Sequence, residues 1–143
     1  EDSPSFTGKH FSIDKAAAPP RPTVIPPVCI GAYGEQIGLP MVGRLADVWN
    51  SSLQGNEERW LRKRDIMRTA AEKAGRDPQS IEISLTIERS LPTNDSESQQ
   101  FVDDLMHLRE LDACHFVMDF GHPKSTEPVL RFVEQVIQPI NAK

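Results

Sequence analysis

PPVCIGAYGEQIGLPMVGRLADVWN, residues 26–50, is the stretch from which the fold is read. Two prolines introduce the β-branched run Val28-Cys29-Ile30, and the run breaks into Gly31-Ala32-Tyr33-Gly34. A charged, helix-like segment follows from Glu35 to Leu45, and Asp47-Val48-Trp49-Asn50-Ser51 resumes as a short strand. Gly38 and Pro40 weaken the first turn of that helix. Strand, glycine-rich turn, helix, strand is the grammar of a parallel crossover unit. The turn itself has two readings on spacing alone. It is a phosphate-binding turn whose amides face an anion near a helix start, or an ordinary loop that holds two glycines.

The same grammar continues downstream. Asn56 is an N-cap for a helix from about Glu57 to Ala74, with Gly75 at the stop position. Its apolar positions Trp60, Met67, Ala70, Ala71 and Ala74 fall largely on one face. IEISLTIERSL, residues 81–91, is the clearest strand: Ile81, Ile83, Leu85 and Ile87 alternate with Glu82, Ser84, Thr86 and Glu88. Ser96 caps a helix running to about Arg109, with Phe101, Leu105 and Leu108 inward. CHFVMDF, residues 114–120, is the fourth strand, and a helix from about Thr126 to Ile137 turns Val129, Val133, Val136 and Ile137 inward. Four strand–helix units in a row imply an α/β fold with four parallel strands and crossover helices. The polar face of the third strand suits a barrel strand beside a polar site, or a strand at an exposed edge.

Ahead of these units, residues 1–27 hold six of the 12 prolines and form a proline-rich arm, with a short strand at His10–Ile13. Residues 28–143 form one domain. With 16 basic and 21 acidic residues, the net charge of −5 argues against a nucleic-acid partner. The cluster Arg59-Trp60-Leu61-Arg62-Lys63-Arg64 lies among Glu57, Glu58 and Asp65 and reads as a solvated helix face. No apolar stretch approaches the ~20 residues that span a bilayer, so no membrane role is expected. Cys29 and Cys114 sit in apolar strand-like runs and read as buried, reduced thiols of a cytoplasmic protein. Neither has the neighbours of a zinc site. The chain opens on Glu1 as if within a longer sequence, and a fragment is expected.

Ligands of parallel α/β folds sit at the carboxyl ends of the strands. That selects Gly31, Ala32, Tyr33 and Gly34; then Asn50, Ser51 and Ser52; then Glu88, Arg89 and Ser90; then Asp119, Gly121, His122 and Lys124. His122 and Lys124 read as surface loop residues, His10 and His107 as exposed, and His115 as a strand histidine with a structural partner. Trp49 reads as core. Asp103-Asp104 faces solvent, and no catalytic triad, carboxylate pair or metal cluster assembles.

Residues 26–50 resemble the stretch of the luciferase-like monooxygenase family that runs from a Pro-Pro-hydrophobic strand through a glycine-rich turn to Ala-Asp-x-Trp-Asn, without a gap. AEKAGRDPQSIEIS (71–84) resembles the family's segment ahead of its seventh barrel strand, LRELDACHFVMDF (108–120) its final helix and strand, and FTGKHFSID (6–14) the preceding insertion. Tyr33 stands where many members carry Ser or Gly, and Gly38 and Pro40 replace helix-favouring residues.

The resemblance implies the C-terminal half of a (β/α)8 TIM-type barrel and a flavin-type oxidoreductase or monooxygenase. Such enzymes use FMN or the deazaflavin coenzyme F-420 on a small organic substrate. It places the coenzyme phosphate at Gly31, Ala32, Tyr33 and Gly34, supported by Ser51, with Asp47 and Trp49 mainly structural. No catalytic residue is assigned. Four strands with two open edges imply self-association or pairing with a missing N-terminal half, and little turnover by this chain alone. The competing expectation is a non-catalytic half-barrel that binds a ligand or serves assembly.

Overall fold

The chain enters through a small antiparallel hairpin. In the computed structural model, which describes residues 3–17, 19–20, 22–53 and 55–142, β1 (Phe6–Thr7) pairs with β2 (Ser12–Ile13), Phe6 opposite Ile13. The strand expected at His10–Ile13 therefore has an upstream partner. The Gly8 amide closes the turn on the Phe11 carbonyl at 2.9 Å.

Next come β3 (Cys29–Gly31), α1 (Gly38–Leu45), β4 (Val48–Ser51), α2 (Glu57–Lys73), β5 (Glu82–Glu88), α3 (Asp95–Glu110) and β6 (Ala113–Asp119). The last helical stretch is α4 (Glu127–Phe132), a π-helical turn at Val133–Ile137, and α5 (Gln138–Asn141). The larger sheet has the order β3-β4-β5-β6, parallel throughout. This is the α/β alternation the sequence implies, a four-strand parallel sheet with crossover helices. Among the described residues, β3 and β6 each leave one edge unpaired.

Register divides the sheet into two faces. Ile30, Trp49 and Ile83 align across three strands, as do Ser51, Leu85 and Phe116. These point to the helices and pack with Leu39, Val42, Trp60, Met67, Phe101, Leu105 and Phe132. On the opposite face Gly31, Asn50, Ser84 and His115 align across all four strands. Asn50 Nδ2 donates to Ser84 Oγ at 3.0 Å, and Ser84 Oγ meets His115 Nδ1 at 3.0 Å. This hydrogen bond is the structural partner expected of His115. At β5–β6 the register slips between Ile83 and Ser84, leaving Cys114 as the extra residue of a β-bulge.

Several local expectations shift for identifiable reasons. α1 starts at Gly38 rather than Glu35, because Gly38 and Pro40 delay helix entry and residues 35–37 form a turn. α3 is capped by Asn94, whose side chain accepts from the Glu97 amide at 2.9 Å, not by Ser96. Asn56 caps α2 as expected, accepting from Arg59 at 2.8 Å, and Gly75 stops it at φ 72°. Ala74 is exposed. The buried stripe of the final stretch runs through Phe132, Val136 and Ile140 while Val133 is exposed, and a π turn lies within it. Both cysteines are exposed rather than buried. Cys29 lies on the helix-free face of an edge strand, and Cys114 in the bulge of the other edge strand.

The basic cluster on α2 also divides. Arg59 and Arg62 are exposed, but Lys63 is 5% exposed. Trp60, Lys63 and Met67 lie at i, i+3 and i+7, on the stripe that faces the core.

Candidate functional site

The site is built on the carboxyl ends of β3 and β4. Its central observation concerns three consecutive peptide groups in the turn after β3. The Ala32 carbonyl accepts from Trp49 Nε1 at 3.0 Å. The Tyr33 carbonyl accepts from Lys63 Nζ at 2.6 Å. The Gly34 carbonyl accepts from the Leu39 amide at 2.9 Å. In a trans peptide the C=O and the following N–H point in opposite directions. Tying three carbonyls to these partners therefore turns the amides of Tyr33, Gly34 and Glu35 away from them. Among the described residues, none of those amides donates a hydrogen bond. Successive outward amides near a helix start form an anion-binding concavity.

The supports are rigid because the packing behind them is. Trp49 is fully buried and stacks on Trp60, with ring centroids 5.9 Å apart and planes 7° apart. Trp60 Nε1 in turn donates to Ser51 Oγ at 2.9 Å. The sequence makes this possible by placing Trp49 and Ser51 two apart on one strand, so both point to the helix side. Asp47 accepts from the Val28 amide at 2.8 Å and holds the start of β3. Asp47 and Trp49 thus act on the turn as structural residues.

Each residue selected from the sequence has a definite place. Gly31 lies in the helix-free row opposite Asn50, and a Cβ there would meet the Asn50 carbonyl oxygen at an ordinary 3.8 Å. Ala32 packs partly against the core and close to Gly38, whose added Cβ would come within 3.0 Å of its methyl. Tyr33 is exposed, its hydroxyl donating to Ser52 Oγ at 3.0 Å. A Cβ at Gly34 would meet only the Gly38 amide nitrogen, at 3.9 Å. Ser51 is fully buried, its hydroxyl engaged by Trp60 and turned from the turn's open side. Its contribution is to fix the tryptophan pair; the hydroxyl nearer the turn's exposed side is that of Ser52.

Beyond the turn, Ser52 lines a cavity together with Glu88 and Arg89 from the end of β5. Arg89 pairs with Asp104 at 2.6 Å and lies over the Phe101 ring, 4.3 Å from its centroid. Asp104 is thus half of an ion pair, while Asp103 faces solvent. Asp119 accepts from the Gly121 amide at 2.8 Å, and His122 and Lys124 are exposed. No group of three or more His, Cys, Asp or Glu among the described residues is arranged to hold a metal.

The residue that sequence reasoning missed is Lys63. Its ammonium lies 5.2 Å from the Tyr33 ring centroid as well as on the Tyr33 carbonyl. Helical spacing from Trp60 was the signal, but the surrounding charges made Lys63 read as part of a solvated face.

The comparisons with known proteins converge. The family described as luciferase-like monooxygenase matches residues 1–135. No curated protein matches the sequence. Among solved structures, an F420-dependent secondary alcohol dehydrogenase in complex with an F420-acetone adduct superposes with a TM-score of 0.77 at 15% identity, covering 98% of this chain. EDTA monooxygenase (EmoA) from Chelativorans sp. BNC1 superposes with a TM-score of 0.53 at 18% identity, covering 96%. The chain spans 56% and 38% of those two proteins. Its sheet and helices are similar to half of the barrel of these neighbours.

Proposed function

We propose, from the premise that the chain belongs to the luciferase-like monooxygenase family, that it supplies the coenzyme phosphate site of a flavin- or deazaflavin-dependent oxidoreductase. The observation that carries this reading is the row of tied carbonyls at Ala32, Tyr33 and Gly34, which leaves successive amides facing outward. The residues present fit a phosphate: amide donors near a helix start, a buried cation behind them, and no carboxylate within 4 Å of that cation among the described residues.

In this reading Gly31 and Gly34 keep side chains clear of the ligand, and the Tyr33, Gly34 and Glu35 amides hold the phosphate. Ala32 anchors the turn through its carbonyl. Ser51 acts through Trp60 and Trp49, as a positioning residue. The Tyr33–Ser52 hydrogen bond narrows the approach on one side. When bound, FMN or coenzyme F-420 supplies hydride transfer or oxygen activation, while the protein binds and orients it. The substrate is a small organic molecule. A complete (β/α)8 barrel is reached by association with another copy or with a further half. Exposed, unpaired cysteines on opposite edge strands suit a reducing, cytoplasmic setting. Among the described residues no helix is long and apolar enough to cross a membrane.

The test is calorimetric titration of the chain with FMN, oxidised and reduced, and with the deazaflavin coenzyme. Saturable binding of one of them is expected, and which one binds decides the coenzyme. A folded chain that binds none contradicts the reading.

A further inference from the structure

We propose that Lys63 supplies the positive charge of this anion site, acting through the Tyr33–Gly34 peptide rather than by touching the ligand. The inference rests on the reading of the turn as a phosphate site and names the residue that gives it charge. Lys63 is the fourth residue of the core stripe's own turn on α2, three positions after Trp60, and only 5% of its surface is exposed. Lysine is rarely buried to this extent without a partner of opposite charge, since water no longer solvates the ammonium. Among the described residues no carboxylate lies within 4 Å of Nζ; the acid of the turn itself, Glu35, is paired with Arg62 at 2.7 Å. The partner Lys63 does have is the Tyr33 carbonyl, at 2.6 Å.

That partner matters because of where the other end of the peptide points. The Tyr33 oxygen and the Gly34 N–H belong to one planar group, with the ammonium at the oxygen end and the N–H directed away. A cation at the oxygen polarises the whole amide and strengthens the N–H as a donor. The neighbouring peptide, held by the neutral Trp49 indole, gains no such charge. An anion held at the Gly34 amide would balance a buried charge that the protein leaves uncompensated. A purely structural lysine would need only its hydrogen bond, and a neutral donor would serve.

Two variants separate charge from tether. Lys63→Gln keeps a donor for the Tyr33 carbonyl without charge, and Lys63→Met fills the space with neither. Binding of inorganic phosphate, FMN and riboflavin is followed by fluorescence of Trp49 and Trp60, the chain's two tryptophans, both of which back the turn. Thermal melts check folding. Wild-type protein is expected to bind FMN more tightly than riboflavin, with an affinity that falls as salt is raised. Both variants are expected to lose about tenfold or more in FMN and phosphate affinity while riboflavin binding holds, with the melting temperature kept in Lys63→Gln. The salt dependence should flatten in both. Lys63→Gln binding FMN as wild type does would overturn the proposal and make Lys63 a tether. Phosphate binding that depends on Lys63, in a chain that takes neither FMN nor the deazaflavin coenzyme, would uphold the charge assignment and overturn the coenzyme reading. Wild-type protein that binds neither phosphate, FMN nor the deazaflavin coenzyme would overturn both.

Discussion

Glycines 34 and 43 show how one residue type serves two ends in this chain. At Gly34 an added Cβ makes only an ordinary 3.9 Å contact with the Gly38 amide nitrogen, so the glycine is not demanded by packing. Gly34→Val is expected to leave the melting temperature nearly unchanged while abolishing FMN binding, because the new side chain stands before the amides. Gly43 is the opposite case. It lies where α1 presses on α2, and a Cβ there would overlap the Met67 carbonyl oxygen and come within 2.8 Å of the Ala71 nitrogen. Gly43→Ala is expected to destabilise the fold by roughly 1–3 kcal/mol, read from denaturant melts, by forcing two helices apart. The glycine pair at 31 and 34 was legible as a turn from sequence. The ties of the Ala32 and Tyr33 carbonyls were not, because their donors come from β4 and α2, 17 and 30 residues away in the chain. Lys63 was read wrongly for a related reason: local charge pattern cannot show which side of a helix meets a buried carbonyl.

Between elements, the electrostatic link best exposed to test joins α2 to α3. His107 Nε2 lies 2.8 Å from Glu57, at the first turn of α2. The hydrogen bond to Glu57, followed by its charge, raises the His107 pKa above the ordinary 6.5. A raised folded-state value means the pair stabilises fully below pH 6.5 and fades as pH rises through the elevated value. His107→Gln should therefore lower the melting temperature at pH 5.5 relative to wild type and leave it nearly unchanged at pH 9. An equal loss at both values would show packing, not charge, to be the link. Glu97 has the contrary sign. Hydrogen bonds from the Thr93 amide and hydroxyl lower its pKa, so its contribution to the start of α3 is present above 4.5 and lost as pH falls through the lowered value.

The elements themselves were legible to different degrees. Asn56 and Gly75 mark both ends of α2 by local chemistry, and the structure keeps both. α3 is capped by Asn94 and not by Ser96, two residues on, and both residue types favour caps. The π turn at Val133–Ile137 left no local signal, and the stretch buries Phe132 and Val136 rather than Val133.

At the scale of the molecule, the sheet ends in two unpaired edges among the described residues, and one face carries no helix. β6 offers seven residues of edge with an exposed thiol, while β3 offers three. Edges of this kind pair with other strands unless covered. Light scattering is expected to give a mass above the 16.0 kDa of one chain. A monodisperse 16.0 kDa species at high concentration would contradict association between copies. Parallel order was legible because strand–helix alternation leaves few other topologies. The row Gly31-Asn50-Ser84-His115 was not, since register across four strands is set by tertiary pairing and a bulge at Cys114.

A phosphate seated on the amides of the turn after β3, as proposed, would leave a signature at those amides. Amide proton–nitrogen NMR spectra of the labelled chain, recorded during titration with FMN and separately with riboflavin, test it most directly. The Tyr33, Gly34 and Glu35 cross-peaks are expected to move with FMN, saturate together and stay in place with riboflavin. Saturable FMN binding that leaves those three amides unmoved would contradict the proposal.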